Sequence, residues 1–391
     1  EVSEAYGSRG FRNNKNNTIQ LIQEIINLRY KRSKILGYKS HASFVLEERM
    51  SLTEKNTVRF IDELYLKSFS FAKREWNELT LFSKQNLGIQ KLEKCDIAFV
   101  TEKFKKSSLN LDELELKKYF SLNNVLLGLF KILNKLYGLT FKLNDRIDVY
   151  AKSVRAYEVY DRNKKFKSLL YLDLYPRLGK RSGAWMTSYI GQAKNQRPHV
   201  SVVCNFPSES ESKPSLMSFQ DVTTLFHEFG HALHGMLSNT DYESLSGTNV
   251  MWDFVELPSQ IMENWCYEEK ALKLFAKHYE TNKPIPKSFI KKIKASSHFQ
   301  QGIQTIRQLG FASLDLSYHS MNSNKIKDIK SHEDLILNKY HFLKSDKTQC
   351  LSSSFSHIFQ GGYSAGYYSY KWSEVLDADA FELFLKKGIF N

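Results

Sequence analysis

Apolar positions recur with helical period through the first third of the chain. Asn17 to Leu36, Thr53 to Gln85 and Leu111 to Leu139 repeat apolar residues three and four apart, which predicts amphipathic helices. From Arg146 to Phe206 the period shortens towards two. Val149-Tyr150, Tyr157 to Tyr160, Leu169 to Leu174 and His199 to Cys204 read as strands, and Arg162 to Lys167 as a solvated hairpin turn between two of them. Past Ser218 the helical period returns, with Phe289 to Ser320 and Ala365 to Lys387 the longest runs. The pattern predicts a mostly helical fold around a small sheet. It divides into a helical region over 1–145 and a second region over 146–391 that holds the sheet and the residues with chemical potential.

One helix in the second region carries more than packing information. Ser218 is suited to an N-cap, and Asp221 three residues on suits the positive end of the helix dipole. Val222, Leu225, Phe226, Phe229, Leu233 and Met236 then form an apolar stripe up to Leu237. His227 and His231 lie beside that stripe, four residues apart and therefore one above the other on the helix. Both imidazoles can reach one metal ion, and Glu228 sits where a carboxylate can take a proton from water activated by that metal. Two hydrogen-bonded core histidines would satisfy the same spacing. Glu228 in register on a capped amphipathic helix favours a metal, with zinc the expected ion. His234 shares the face but lies about 10.5 Å along the axis from His227, too far for the same ion. Gly230 predicts a close approach by another element.

A catalytic zinc usually takes three protein ligands and keeps one position open. Asp241, Glu243, Asp253, Glu256 and Glu263 are the candidates that follow. The first two sit in a turn-like, solvated stretch. Asp253 opens a further helical pattern whose Pro258 fits only a first turn. Glu256 in that turn is the favourite, leaving Asp253 or Glu263 to orient a ligand histidine.

At 391 residues with 42% apolar content the chain can bury a sizeable core, and it has no apolar run long enough to span a membrane. Four cysteines, Cys95, Cys204, Cys266 and Cys350, lack metal-binding spacing and fit a reduced, cytoplasmic setting. The net charge of +14 raises the question of nucleic acid. The excess is carried by lysines dispersed along the chain, with no basic helix interleaved with aromatics, so no nucleic-acid partner is expected.

The stretch Leu225 to Gly235 resembles the zinc-binding segment of thimet-oligopeptidase-type (M3) zinc metallopeptidases. Ser246 to Asn249, Asp253 to Gln260 and Glu263 to Trp265 are similar to that family too, nearest to its bacterial peptidyl-dipeptidase (dipeptidyl carboxypeptidase) branch, with oligopeptidase A the near neighbour. Tyr171 to Met186 resembles the family's strand region ahead of the zinc helix. His357 to Tyr370 resembles its Gly- and Tyr-rich substrate loop, with Gly361, Gly362 and Gly366 expected to let it close on substrate. The resemblance implies a zincin-like fold with a deep substrate channel, one wall of it formed by 1–145. It implies one Zn2+ per chain on His227, His231 and Glu256, with Glu228 as general base. It implies that His357, Tyr367 and Tyr370 bind the peptide and the tetrahedral intermediate, while Tyr363 and Tyr368 read as packing residues. The implied activity is hydrolysis of short, unfolded peptides by a monomer, with release of C-terminal dipeptides. Internal cleavage in the manner of oligopeptidase A is the alternative. The chain begins without Met and lacks sequence that the family carries at both ends, so a catalytically silent fragment is a further alternative. The edge of the strand just ahead of the zinc helix can pair with an extended peptide, and an ordinary sheet edge is the equal alternative.

Overall fold

The computed structural model describes residues 1–321 and 323–391. The chain falls into two compact units. One holds residues 1–108, 251–253 and 298–372, the other 109–250, 254–297 and 373–391. These units do not follow the boundary expected between 145 and 146. The helix Leu122–Tyr137 belongs with the sheet and metal-motif helix because its apolar face, Val125, Leu129, Ile132 and Leu133, joins their core.

The first unit is built on three long helices, Ile19–Ile35, Glu54–Leu87 and Gln301–His319. The second of these starts where its sequence allows. Thr53 is extended and its hydroxyl accepts from the Asn56 N–H, and Gly88 closes the helix at φ 70°. Ile22, Ile26, Ile61, Ala72, Ile306, Leu309 and Leu314 share one core. The expected run Phe289 to Ser320 is two helices, Lys287–Ser296 and Gln301–His319. The chain breaks at Gln300, whose φ of 54° is incompatible with a continuous helix.

The second unit contains a five-stranded sheet: β1 Thr140–Leu143, β2 Arg155–Tyr160, β3 Phe166–Asp173, β4 Trp185–Ile190 and β5 His199–Val203. Their order is β1-β2-β3-β5-β4, with β3 and β5 parallel and every other pair antiparallel. Alternation places Ser168, Leu170 and Leu172 of β3 beside Val200 and Val202 of β5 in the buried layer. β1 and β4 are additions to the strands expected from sequence. Val149-Tyr150, expected as a strand, is irregular, and its Tyr150 hydroxyl donates instead to Asp173. The strand ahead of the metal-motif helix, β5, is paired on both sides, so the exposed edge on that side of the sheet is β4. Lys180, from the loop after β3, has a buried side chain. Its Nζ donates to the Asp173 carboxylate and carbonyl, each at 2.9 Å, and to the carbonyls of Tyr175 and Cys204.

Candidate metal centre and tyrosine loop

The metal-motif helix spans Phe219–Met236 and is held at both ends. Ser218 Oγ accepts from the Asp221 N–H while the Asp221 carboxylate accepts from the Ser218 N–H, a reciprocal capping box. At the other end the Arg197 guanidinium donates to the carbonyls of Met236 (2.8 Å) and Ser238 (3.1 Å). Val222, Leu225, Phe226, Phe229, Leu233 and Met236 are all buried, as the apolar stripe predicts. Gly230 lies against the next helical segment so closely that an added Cβ would stand 2.1 Å from the Pro258 carbonyl oxygen and 2.4 Å from Ser259 Cα.

That segment is the helix Leu257–Glu263, with Pro258 in its first turn and Glu256 at its N-cap. Its approach brings Glu256 to the histidines. Glu256 Oε2 lies 3.3 Å from His227 Nε2 and 3.2 Å from His231 Nε2, and Ser259 Oγ donates to the same oxygen at 3.0 Å. Two imidazole nitrogens and a carboxylate oxygen converge within 4.8 Å of one another. Ligands about 2.0–2.2 Å from a tetrahedral zinc stand about 3.3–3.5 Å apart, so the spacing and the donor types fit that ion. Glu263, two turns along, orients the first ring: its Oε1 lies 2.7 Å from His227 Nδ1, leaving Nε2 to face Glu256. Among the described residues the buried Nδ1 of His231 has no such partner.

Asp253 takes a different role from the one considered for it. Its carboxylate accepts from the N–H groups of Met50 and Ser51 and from the Tyr368 hydroxyl, at 2.7 Å, all within the first unit. Asp241 and Glu243 are exposed, as their turn-like surroundings predict.

Charge in the centre is arranged for a cation. Burial disfavours a charged His227 ring, but hydrogen bonds to Glu256 and Glu263 outweigh it and raise its pKa to about 10. Burial alone would raise Glu256, yet the bonds to His227 and His231 hold its carboxyl well below the usual range. The electrostatics that retain a proton on the His227 ring equally suit a dication, whose binding displaces that proton. Glu228 is 6% exposed. Burial raises its pKa, and the neighbouring His227 and His231 offset only part of that shift.

His357, Tyr367 and Tyr370 lie in the first unit and come together there. The ring of His357 is 5.8 Å from that of Tyr367 and 6.5 Å from that of Tyr370, and the two tyrosine rings are 5.1 Å apart. His357 is exposed and Tyr370 half-buried, whereas Tyr367 is buried with its hydroxyl 3.0 Å from Gln308 Oε1. Tyr363 stacks on Tyr370 at 5.1 Å, and Tyr368 is buried on Asp253. Gln308 carries no local signal, because it reaches Tyr367 from a helix far away in sequence.

The chain is 38% identical over 379 residues to oligopeptidase A of Salmonella typhimurium, covering 95% of this chain and 56% of that protein. Oligopeptidase A of Escherichia coli is 36% identical over 406 residues, covering 100% and 59%. Dipeptidyl carboxypeptidase of Escherichia coli is 33% identical over 386 residues, covering 97% and 57%. The chain therefore spans less than two thirds of the length of these relatives. Among solved structures, PZ peptidase A with inhibitor 2 shares the fold at a TM-score of 0.55 and 16% identity, over 94% of this chain and 56% of that one. The model of peptidase family M3 matches residues 1–391. By that match and these relatives the chain belongs to peptidase family M3, a family of metallopeptidases, and membership implies a metal.

Proposed function

We propose that the protein is a zinc metallopeptidase that hydrolyses short peptides and releases C-terminal dipeptides, with one zinc held by His227, His231 and Glu256. The observation that carries this reading is the convergence of His227 Nε2 and His231 Nε2 on Glu256 Oε2, with the buried Glu228 beside them. Zinc, when bound, supplies a Lewis acid that acidifies water and polarises the scissile carbonyl. Glu228 accepts the proton of the attacking water and passes it to the leaving amine. Its raised pKa suits both roles better than that of an ordinary glutamate. Glu263 fixes the tautomer of His227. His357, Tyr367 and Tyr370 bind the substrate and donate to the developing oxyanion, as the family resemblance assigns them.

The exposed edge of β4 offers main-chain groups to an extended peptide, which would hold varied sequences. Four free cysteines fit a reducing, cytoplasmic setting, and the monomer is the expected state. Among the described residues no helix is long and apolar enough to cross a membrane. Internal cleavage is the second reading, favoured by the higher identity to oligopeptidase A (38%) than to dipeptidyl carboxypeptidase (33%).

The test measures bound zinc and follows a short peptide by mass spectrometry, for wild type and Glu228→Gln. One zinc in each protein, with cleavage by wild type alone, is expected. Stoichiometric zinc with no cleavage by wild type would sink the reading, and product masses separate dipeptide release from internal cleavage.

A further inference from the structure

In the first unit two buried polar side chains, Asp315 and His319, and the half-buried Arg29 grip the tyrosine loop from both ends. Asp315 sits on the apolar face of the helix Gln301–His319, beside Ala312 and Leu316, and is fully buried. Its carboxylate accepts three successive main-chain N–H groups: Oδ1 from Ala365 at 2.8 Å, and Oδ2 from Gly366 and Tyr367 at 2.9 Å each. Ala365 is itself buried and has φ 53°, a left-handed conformation that a residue with a Cβ rarely adopts unless its surroundings impose it. One turn along the same helix, His319 Nδ1 is 2.9 Å from Asp315 Oδ1. The other ring nitrogen of His319 is 2.9 Å from Arg29 Nη1, and Arg29 donates to the carbonyls of Ile358 (2.7 Å) and Phe359 (3.3 Å).

The loop from Ile358 to Tyr367 is thus fixed by its carbonyls at one end and its N–H groups at the other, through three linked side chains. A charged group is costly to bury, and a nonpolar residue would fill the same volume on this helix face without that cost. What the carboxylate adds is direction. It sets three consecutive peptide planes immediately before the helix Ser369–Lys387, where N–H groups point outward and favour negative charge. Those planes determine where Tyr367 leaves the backbone, and Tyr370 follows one turn later.

Resting on the proposed function, we infer that Asp315 is a positioning residue for peptide hydrolysis, aiming Tyr367 and Tyr370, with His319 and Arg29 completing the grip on the loop. Asp315→Asn retains the shape and one acceptor but turns an amide NH2 towards a main-chain N–H. The full chain is compared with wild type by native-state hydrogen exchange, bound zinc, and the kcat and KM for a short peptide. Expected are equal zinc, faster exchange over residues 363–368, and kcat lowered about 100-fold with little change in KM, the scale of a misplaced catalytic group. A purely structural role would lower the active fraction and the zinc together.

Folded Asp315→Asn with wild-type kcat, or with wild-type exchange, overturns the inference, as does a rise in KM alone. Should Asp315→Asn fail to fold, Arg29→Gln is read in its place. It is expected to speed exchange over 358–367 and lower kcat, and it overturns the inference if it does neither. A wild-type protein that binds zinc and cleaves nothing overturns the proposed function and this role together, while exchange still reports whether Asp315 holds the loop.

Discussion

Replacing Gly230 by alanine places one methyl group where the Pro258–Ser259 backbone already stands. In the middle of a helix, glycine to alanine ordinarily stabilises by about 1 kcal/mol, because alanine loses less backbone freedom on folding. Here the added Cβ would lie 2.1 Å from the Pro258 oxygen and 2.4 Å from Ser259 Cα. That is more than about 1 Å short of ordinary contact, and the obstructing atoms are backbone. Overpacking of this kind costs about 1–3 kcal/mol, enough to cancel or reverse the helical gain. The local consequence is larger than the global one. Relief by separation carries Glu256 away from the histidines by about 1 Å, whereas metal ligation tolerates about 0.2 Å. Gly230→Ala is therefore expected to melt no higher than wild type and to bind zinc at least 10-fold more weakly, as measured by competition with a chelating dye. Gly235→Ala on the same helix is the control: its Cβ meets the flexible end of Met186 at 2.8 Å and the Val200 side chain at 3.1 Å. It should keep its zinc. Wild-type zinc affinity with a raised melting temperature in Gly230→Ala would refute the argument that this contact places Glu256.

Glu263→Gln removes the charge that orients His227 and should weaken zinc about 10–100-fold by equilibrium dialysis, with the fold retained; unchanged affinity would deny Glu263 that role. Ser218→Ala deletes half of the capping box and should cost about 1 kcal/mol in chemical denaturation, and no loss would mean the cap is redundant. His41 is buried beside His319, Arg29 and Arg32; burial first, and these neighbours next, lower its pKa from 6.5 to about 2. The folded state thus binds this proton less readily than the unfolded chain. The neutral ring's contribution is complete above about pH 6.5 and is lost as pH falls towards 2, by about 2 kcal/mol between pH 7 and pH 5. Denaturation at both pH values should show a smaller loss for His41→Gln than for wild type, and equal losses would exclude His41 as the source.

What the sequence revealed follows the range over which each signal acts. The metal-motif helix was legible to its cap because Ser218, Asp221, the apolar stripe and the two histidines all lie within five turns. Glu256 was one of five candidates until the resemblance selected it, since its approach depends on how two helices pack at Gly230. The sheet was half legible. β2, β3 and β5 show alternation, whereas β1 is short and mostly exposed and β4 carries little buried apolar surface. Which strand lies at the edge depends on order, which alternation does not encode. Asp315 left one trace, an aspartate and a histidine four apart on an apolar helix face. Its partners come from segments far away in sequence.

The strand order makes the sheet an object in two pieces. β1, β2 and β3 follow one another as a meander, and β4 and β5 form a hairpin of their own. Among the described strands, the parallel pairing of β3 with β5 is the ladder that joins them. Lys180 sits across that seam, tied to Asp173 at the end of β3 and to the Cys204 carbonyl just past β5. Damage at the seam would not fray the sheet from its rim. It would release the β4–β5 hairpin as a block, and with it the chain that leads from β5 into the metal-motif helix. The joint beside the candidate metal centre is thus a seam inside the sheet, remote in sequence from the histidines.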